Sequence, residues 1–156
     1  MAATLRARIV NAVTAVGLRP DRLCLLLMIS VLTACTSSDQ VEQQSKIAAS
    51  ATQTASLVLE AWVAGAAPSK YTSRTLQSVG KALADAGAQI QSAKSPEPSE
   101  QAGLTTAVGQ LSAAVTRAAT AVQNGNRSDV EHAQQDLRAA AADLSASYAR
   151  YFAPKS

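Results

Sequence analysis

The sequence predicts an all-α fold, an antiparallel up-down-up-down four-helix bundle rich in alanine. Three observations lead there. Large apolar residues recur at three- and four-residue spacing through four stretches of about 24 residues, the period of an amphipathic helix. Breaks carrying glycine or proline separate those stretches. Alanine, the strongest helix former, fills much of what lies between.

In chain order the first element is a leader. Arg6, Arg8, Arg19 and Arg22 make its start positive, and an apolar run (LCLLLMISVL) occupies residues 23–32. The run ends at Leu32-Thr33-Ala34-Cys35, and Thr36-Ser37-Ser38-Asp39-Gln40 follows. A positive segment, a short apolar core and small residues before a cut describe a secretory signal peptide. The run falls short of the roughly 20 apolar residues of a membrane-spanning helix.

Leu32-Thr33-Ala34-Cys35 resembles the lipobox of bacterial lipoproteins. The resemblance implies that residues 1–34 are a lipoprotein signal peptide and that Cys35 takes a diacylglyceryl group on its thiol. Cleavage then leaves Cys35 first, with its new amino group acylated. Cys24 has Arg22-Leu23 before it instead of small residues and reads as part of the leader. Each buried CH₂ contributes about 0.8 kcal/mol, so several acyl chains on Cys35 would hold the protein stably at membrane lipid. In Gram-negative lipoproteins Asp directly after the Cys favours the inner membrane. Thr36 stands there, so the resemblance implies the outer membrane, facing the periplasm.

Residues 35–40 read as the lipidated Cys and a polar tether, residues 41–152 as the bundle, and residues 153–156 as a C-terminal tail. The first helical segment, 41–64, has Ile47, Ala51, Thr54, Val58 and Ala61 as its stripe, widened by Leu59, Trp62 and Val63. Gly65-Ala66-Ala67-Pro68-Ser69 is the first loop. The second segment reaches residue 93 with a stripe of Leu76, Val79, Leu83, Ala86 and Ile90. Gly80 and Gly87 each follow a stripe position, where they either permit a close helix contact or weaken the segment. Ser95-Pro96-Glu97-Pro98-Ser99 is the clearest break, because two prolines oppose continuation of the helix.

The third segment, about 100–123, lines up Leu104, Val108, Leu111, Val115, Ala118 and Val122. Asn124-Gly125-Asn126 stops it, with Gly125 suited to the left-handed position past a helix end. Ser128-Asp129-Val130-Glu131 has the spacing of a capping box, with Ser128 as the cap. The fourth segment, about 129–152, presents Val130, Gln134, Leu137, Ala141, Leu144, Tyr148 and Tyr151. Short connections make successive helices antiparallel.

The net charge of +3 resides in the leader, which holds four Arg and one Asp. From Cys35 onward ten Lys and Arg balance ten Asp and Glu. The basic balance is therefore a targeting feature and gives no support to nucleic-acid binding. Leu, Ile, Val and Phe make up only 19 of those 122 residues. That sparse fraction approaches disordered chains, but the neutral charge and the helical spacing argue for folding.

No catalytic, cofactor or metal constellation emerges. His132 is the lone histidine, without the partner and pocket that a general base needs. Glu60, Asp85, Asp136 and Asp143 do not reproduce the inward Glu-x-x-His pairs of a dimetal bundle. The expectation is a non-enzymatic, membrane-anchored interaction or structural lipoprotein of the bacterial cell envelope. It would contact an envelope protein or associate with itself. The alternative is a periplasmic helical bundle that binds or carries a small apolar ligand, with a pocket near Trp62 and Tyr71.

Overall fold

The computed structural model describes residues 37–154; the leader, Cys35 and residues 155–156 lie outside the described residues. Four helices, α1 (Ser37–Val63), α2 (Ser69–Ser92), α3 (Pro98–Gln123) and α4 (Arg127–Tyr151), account for most of them, and no strand occurs among them. Loops of three to five residues return each helix along its predecessor, which gives the expected up-down-up-down bundle.

Each helix end has a chemical cause. Gly65 (φ +75°) and Gly125 (φ +66°) take the left-handed conformation just past α1 and α3. At α1, Ala66 N–H donates to Ala61 C=O at 2.8 Å and Gly65 N–H to Trp62 C=O at 2.9 Å. At α3, Asn126 N–H donates to Ala121 C=O at 2.9 Å and Gly125 N–H to Val122 C=O at 3.2 Å. These are Schellman closures, which satisfy carbonyls that a helix end otherwise leaves unpaired. The Gln101 amide closes α2 from outside by donating to Ile90 C=O and, at 2.8 Å, to Ala93 C=O.

Contacts at the two poles confirm the topology. Arg127, the first residue of α4, donates at 2.8 Å to the carbonyl of Val63, the last residue of α1. A cation at that place also complements the helix dipole. At the other pole the Tyr151 hydroxyl shares a 2.9 Å hydrogen bond with Ser95 in the α2–α3 loop. Tyr151 is buried, so this aromatic residue plugs the bundle end, with Phe152 packed edge-on against it. Trp62 is half-buried and its Nε1–H donates to Ser69 Oγ at 2.9 Å, which staples the first loop.

The core is a ladder of leucine, isoleucine and valine set in alanine. Leu59, Leu76, Leu83, Ile90, Leu104, Leu111 and Leu137 are its largest fully buried side chains. Each such side chain contributes about 1.5–3 kcal/mol on burial. The stripes expected on α2 and α3 are buried at every position. On α4, Gln134, Ala141 and Tyr148 are only half-buried.

Three local expectations are corrected. The chain is helical from Ser37, within the stretch expected to be tether, and Asp39 sits in the first turn where it complements the helix dipole. The cap of α4 is Asn126, not Ser128: its side chain accepts from Asp129 N–H at 3.2 Å and donates back to the Asp129 carboxylate at 2.6 Å. The return bond joins the two side chains, where a capping box would engage the backbone N–H of the cap. On α1 the inward face is Val41, Ser45, Ala48, Thr52, Ala55 and Leu59, while Ile47 and Thr54 are exposed.

The glycines of α2 differ in their surroundings. A Cβ at Gly87 would stand 3.4 Å from Val108 Cγ1, so α2 and α3 approach closely there. At Gly80 the nearest atoms would be 3.8 Å away. Gly109 in α3 is exposed and has nothing within 4 Å of an added Cβ. Gly109→Ala is therefore expected to raise stability by about 1 kcal/mol through helix propensity. A urea midpoint that rises at unchanged slope would confirm it.

Candidate functional site

Helix α1 is the outlier of the bundle. Each chain-adjacent pair of helices is closely packed, whereas α1 and α4, which close the ring, meet along a much thinner seam. Three of the bundle's buried polar residues, Gln44, Ser45 and Thr52, lie on α1, and Ser147 lies on α4. Small and polar side chains occupy places that leucine holds in α2 and α3.

A groove of about 420 Å³ runs along this seam. Ser45, Lys46, Ala49, Thr52 and Gln53 line it from α1, and Ala141, Leu144, Ser145 and Tyr148 from α4. Its volume is within the range of small-molecule sites, about 300–1,000 Å³. Leu144 and Tyr148 set the spacing, and Ser45, Ala49 and Thr52 opposite are too small to fill it. Because the helices are antiparallel, Ser45 and Lys46 share one end with Tyr148, while Thr52 and Gln53 face Ala141. The distance between those ends is about 10 Å at 1.5 Å per residue.

The polar groups of the groove are unevenly satisfied. Thr52 donates to Ala48 C=O at 2.8 Å and is spent within its own helix. Lys46 donates to the Glu42 carboxylate at 2.6 Å. That hydrogen bond, with the attraction of the same carboxylate, holds the Lys46 ammonium above the ordinary lysine range, so it is charged at any physiological pH. Ser45 is 2% exposed, and its hydroxyl has no hydrogen-bond partner among the described residues. A buried hydroxyl in that state costs about 1–3 kcal/mol. Tyr148 stacks at 4.5 Å on Phe152, which fixes its ring at the groove mouth.

Where a pocket was expected near Trp62 and Tyr71, Tyr71 lines an open hollow of about 580 Å³ with Pro68, Lys70 and Arg74, and Trp62 takes no part in it. Tyr71 is 61% exposed on α2, and Trp62 is tied to Ser69. The groove residues escaped the sequence reading because hydrophobic periodicity ignores serine and threonine. The usable signal was the run Gln44, Ser45, Ala48, Thr52 at core spacing without one large apolar side chain.

The other groups considered for chemistry lie outside. His132 is exposed on α4, and near it Arg117 of α3 pairs with Asp136 at 2.8 Å. Glu60, Asp85, Asp136 and Asp143 all face solvent, with Asp85 paired to Lys81. Among the described residues no group of three or more His, Cys, Asp and Glu could hold a metal ion. No helix among them is long and apolar enough to cross a membrane. Cys35, the expected lipidation site, lies outside the described residues. No protein-family profile, no curated protein and no solved structure matches this chain.

Proposed function

We propose that this protein is a non-enzymatic lipoprotein of the bacterial cell envelope, held at membrane lipid through acylated Cys35, whose working surface is helix α1. The outer membrane, facing the periplasm, is its proposed location. The observation that carries the choice of surface is the placement of exposed large aliphatic side chains. Ile47 is 40% and Leu57 67% exposed, and both lie on α1. The helix nearest the lipid attachment in sequence is thus also the one that offers apolar contacts to an envelope protein or a second copy.

A photo-crosslinking residue at position 57, in intact Gram-negative cells, tests this. With Cys35 present it is expected to yield a discrete adduct, and the same probe at Gln135, exposed on α4, none. In a Cys35→Ser background the acyl anchor is absent and the adduct is expected to be lost. Equal adducts from both positions, or an undiminished adduct without Cys35, would refute the reading.

A second reading has its own support. The α1–α4 groove, with apolar walls and the unpartnered Ser45 hydroxyl, favours an apolar ligand held between these helices.

A further inference from the structure

Resting on that second reading, we infer that the α1–α4 groove binds the chain of a single aliphatic carboxylate, a medium-length fatty acid, with its head at the Ser45–Lys46–Tyr148 end. Leu144, Ala141, Ala49 and the Tyr148 ring supply apolar wall, and the volume of about 420 Å³ suits one unbranched chain and not a two-chain lipid. The run of about 12 Å from Ser45 to Gln53 gives the chain a direction.

The head is assigned by hydrogen-bonding chemistry. Ser45 lines this end, and its buried hydroxyl has no hydrogen-bond partner among the described residues. Lys46 has three N–H groups to give and a hydrogen bond to Glu42. Tyr148 brings a second hydroxyl to the same end. The Lys46 ammonium and the Ser45 and Tyr148 hydroxyls bring donors to this end, and the Glu42 carboxylate accepts from Lys46. A carboxylate head is acceptor-only and can take hydrogen bonds from all three. At the far end Thr52 is satisfied within α1, so it makes no claim on a polar head.

The test uses the full chain carrying Cys35→Ser, so that no attached lipid competes. Dodecanoate and dodecyltrimethylammonium are titrated by calorimetry, and the carboxyl carbon of labelled dodecanoate is followed by NMR. Dodecanoate is expected to bind one to one, at least tenfold more tightly than the cationic amphiphile. Ala49→Phe, a change at an exposed groove wall, is expected to abolish binding, with helical content unchanged by circular dichroism. Ser45→Ala is expected to weaken dodecanoate at least fivefold and to remove the shift of the carboxyl resonance. Equal affinity for the two amphiphiles, both lost in Ala49→Phe, would overturn the carboxylate assignment while the apolar-ligand reading stands. Binding of neither overturns both, as does dodecanoate binding indifferent to Ala49→Phe.

Discussion

Leu111→Ala is expected to cost about 3 kcal/mol of folding stability, the usual scale for a fully buried leucine truncated in a core that cannot collapse around the loss. Leu111 is 0% exposed at the middle of α3, the helix that packs closely on both α2 and α4. Its core neighbours in sequence, Ala107, Val108, Ala114 and Val115, are short and β-branched or lack reach. None can swing into the space that the leucine leaves. Domains of this kind are stable by about 5–15 kcal/mol, and a core with so few large side chains draws on a small reserve. Leu57→Ala is the matched control: that leucine is 67% exposed, and the change is expected to stay within about 0.5 kcal/mol. Urea unfolding followed by circular dichroism separates the two. A Leu111→Ala midpoint no lower than that of Leu57→Ala would mean that the bundle is not held by this ladder.

The contrast between those two leucines also marks how far the sequence could be read. On α2 a large aliphatic residue stands at four of the five buried positions from Leu76 to Ile90, and on α3 Leu104, Val108, Leu111, Val115 and Val122 recur at helical spacing among buried alanines. Periodicity there has a single solution. On α1 the inward face carries Gln44, Ser45, Ala48, Thr52 and Ala55, while Ile47 and Leu57 point outward. A pattern search that follows large hydrophobes lands partly off the buried face: of the stripe Ile47, Ala51, Thr54, Val58 and Ala61, only Val58 is buried, Ala51 and Ala61 are half-buried, and Ile47 and Thr54 are exposed. The start of α4 shows a second limit. Both Asn126 and Ser128 are strong capping residues, and only the backbone left by the Gly125 closure puts Asn126 at the cap. The groove was illegible for the same reason as the α1 register. It is a shortage of side-chain volume between two helices distant in sequence, which no single segment displays.

Removing a buried hydroxyl is expected to have the opposite sign. Thr72 is 0% exposed in the first turn of α2, and its Oγ1 has no hydrogen-bond partner among the described residues, as is true of Ser45 Oγ. Thr72→Val keeps the shape and the β-branch while replacing the unpaired hydroxyl by a methyl, and is expected to raise stability by about 1–2 kcal/mol. Ser45→Ala is expected to raise it by a similar amount, aided by the better helix propensity of alanine. The two sites part company when dodecanoate is present. A ligand that binds only the folded state stabilises it in proportion to the logarithm of its concentration over its dissociation constant. Thr72 is not among the residues that line the α1–α4 groove, so the gain from Thr72→Val persists at every dodecanoate concentration. Ser45 is, so the advantage of Ser45→Ala shrinks as dodecanoate rises, because the wild-type hydroxyl then meets the carboxylate. Urea midpoints measured across a dodecanoate series, with the slope checked for constancy, display this directly. Two parallel lines would make Ser45 an ordinary packing defect like Thr72. Lines that converge for Ser45 alone identify a hydroxyl retained at a cost in stability because a ligand meets it.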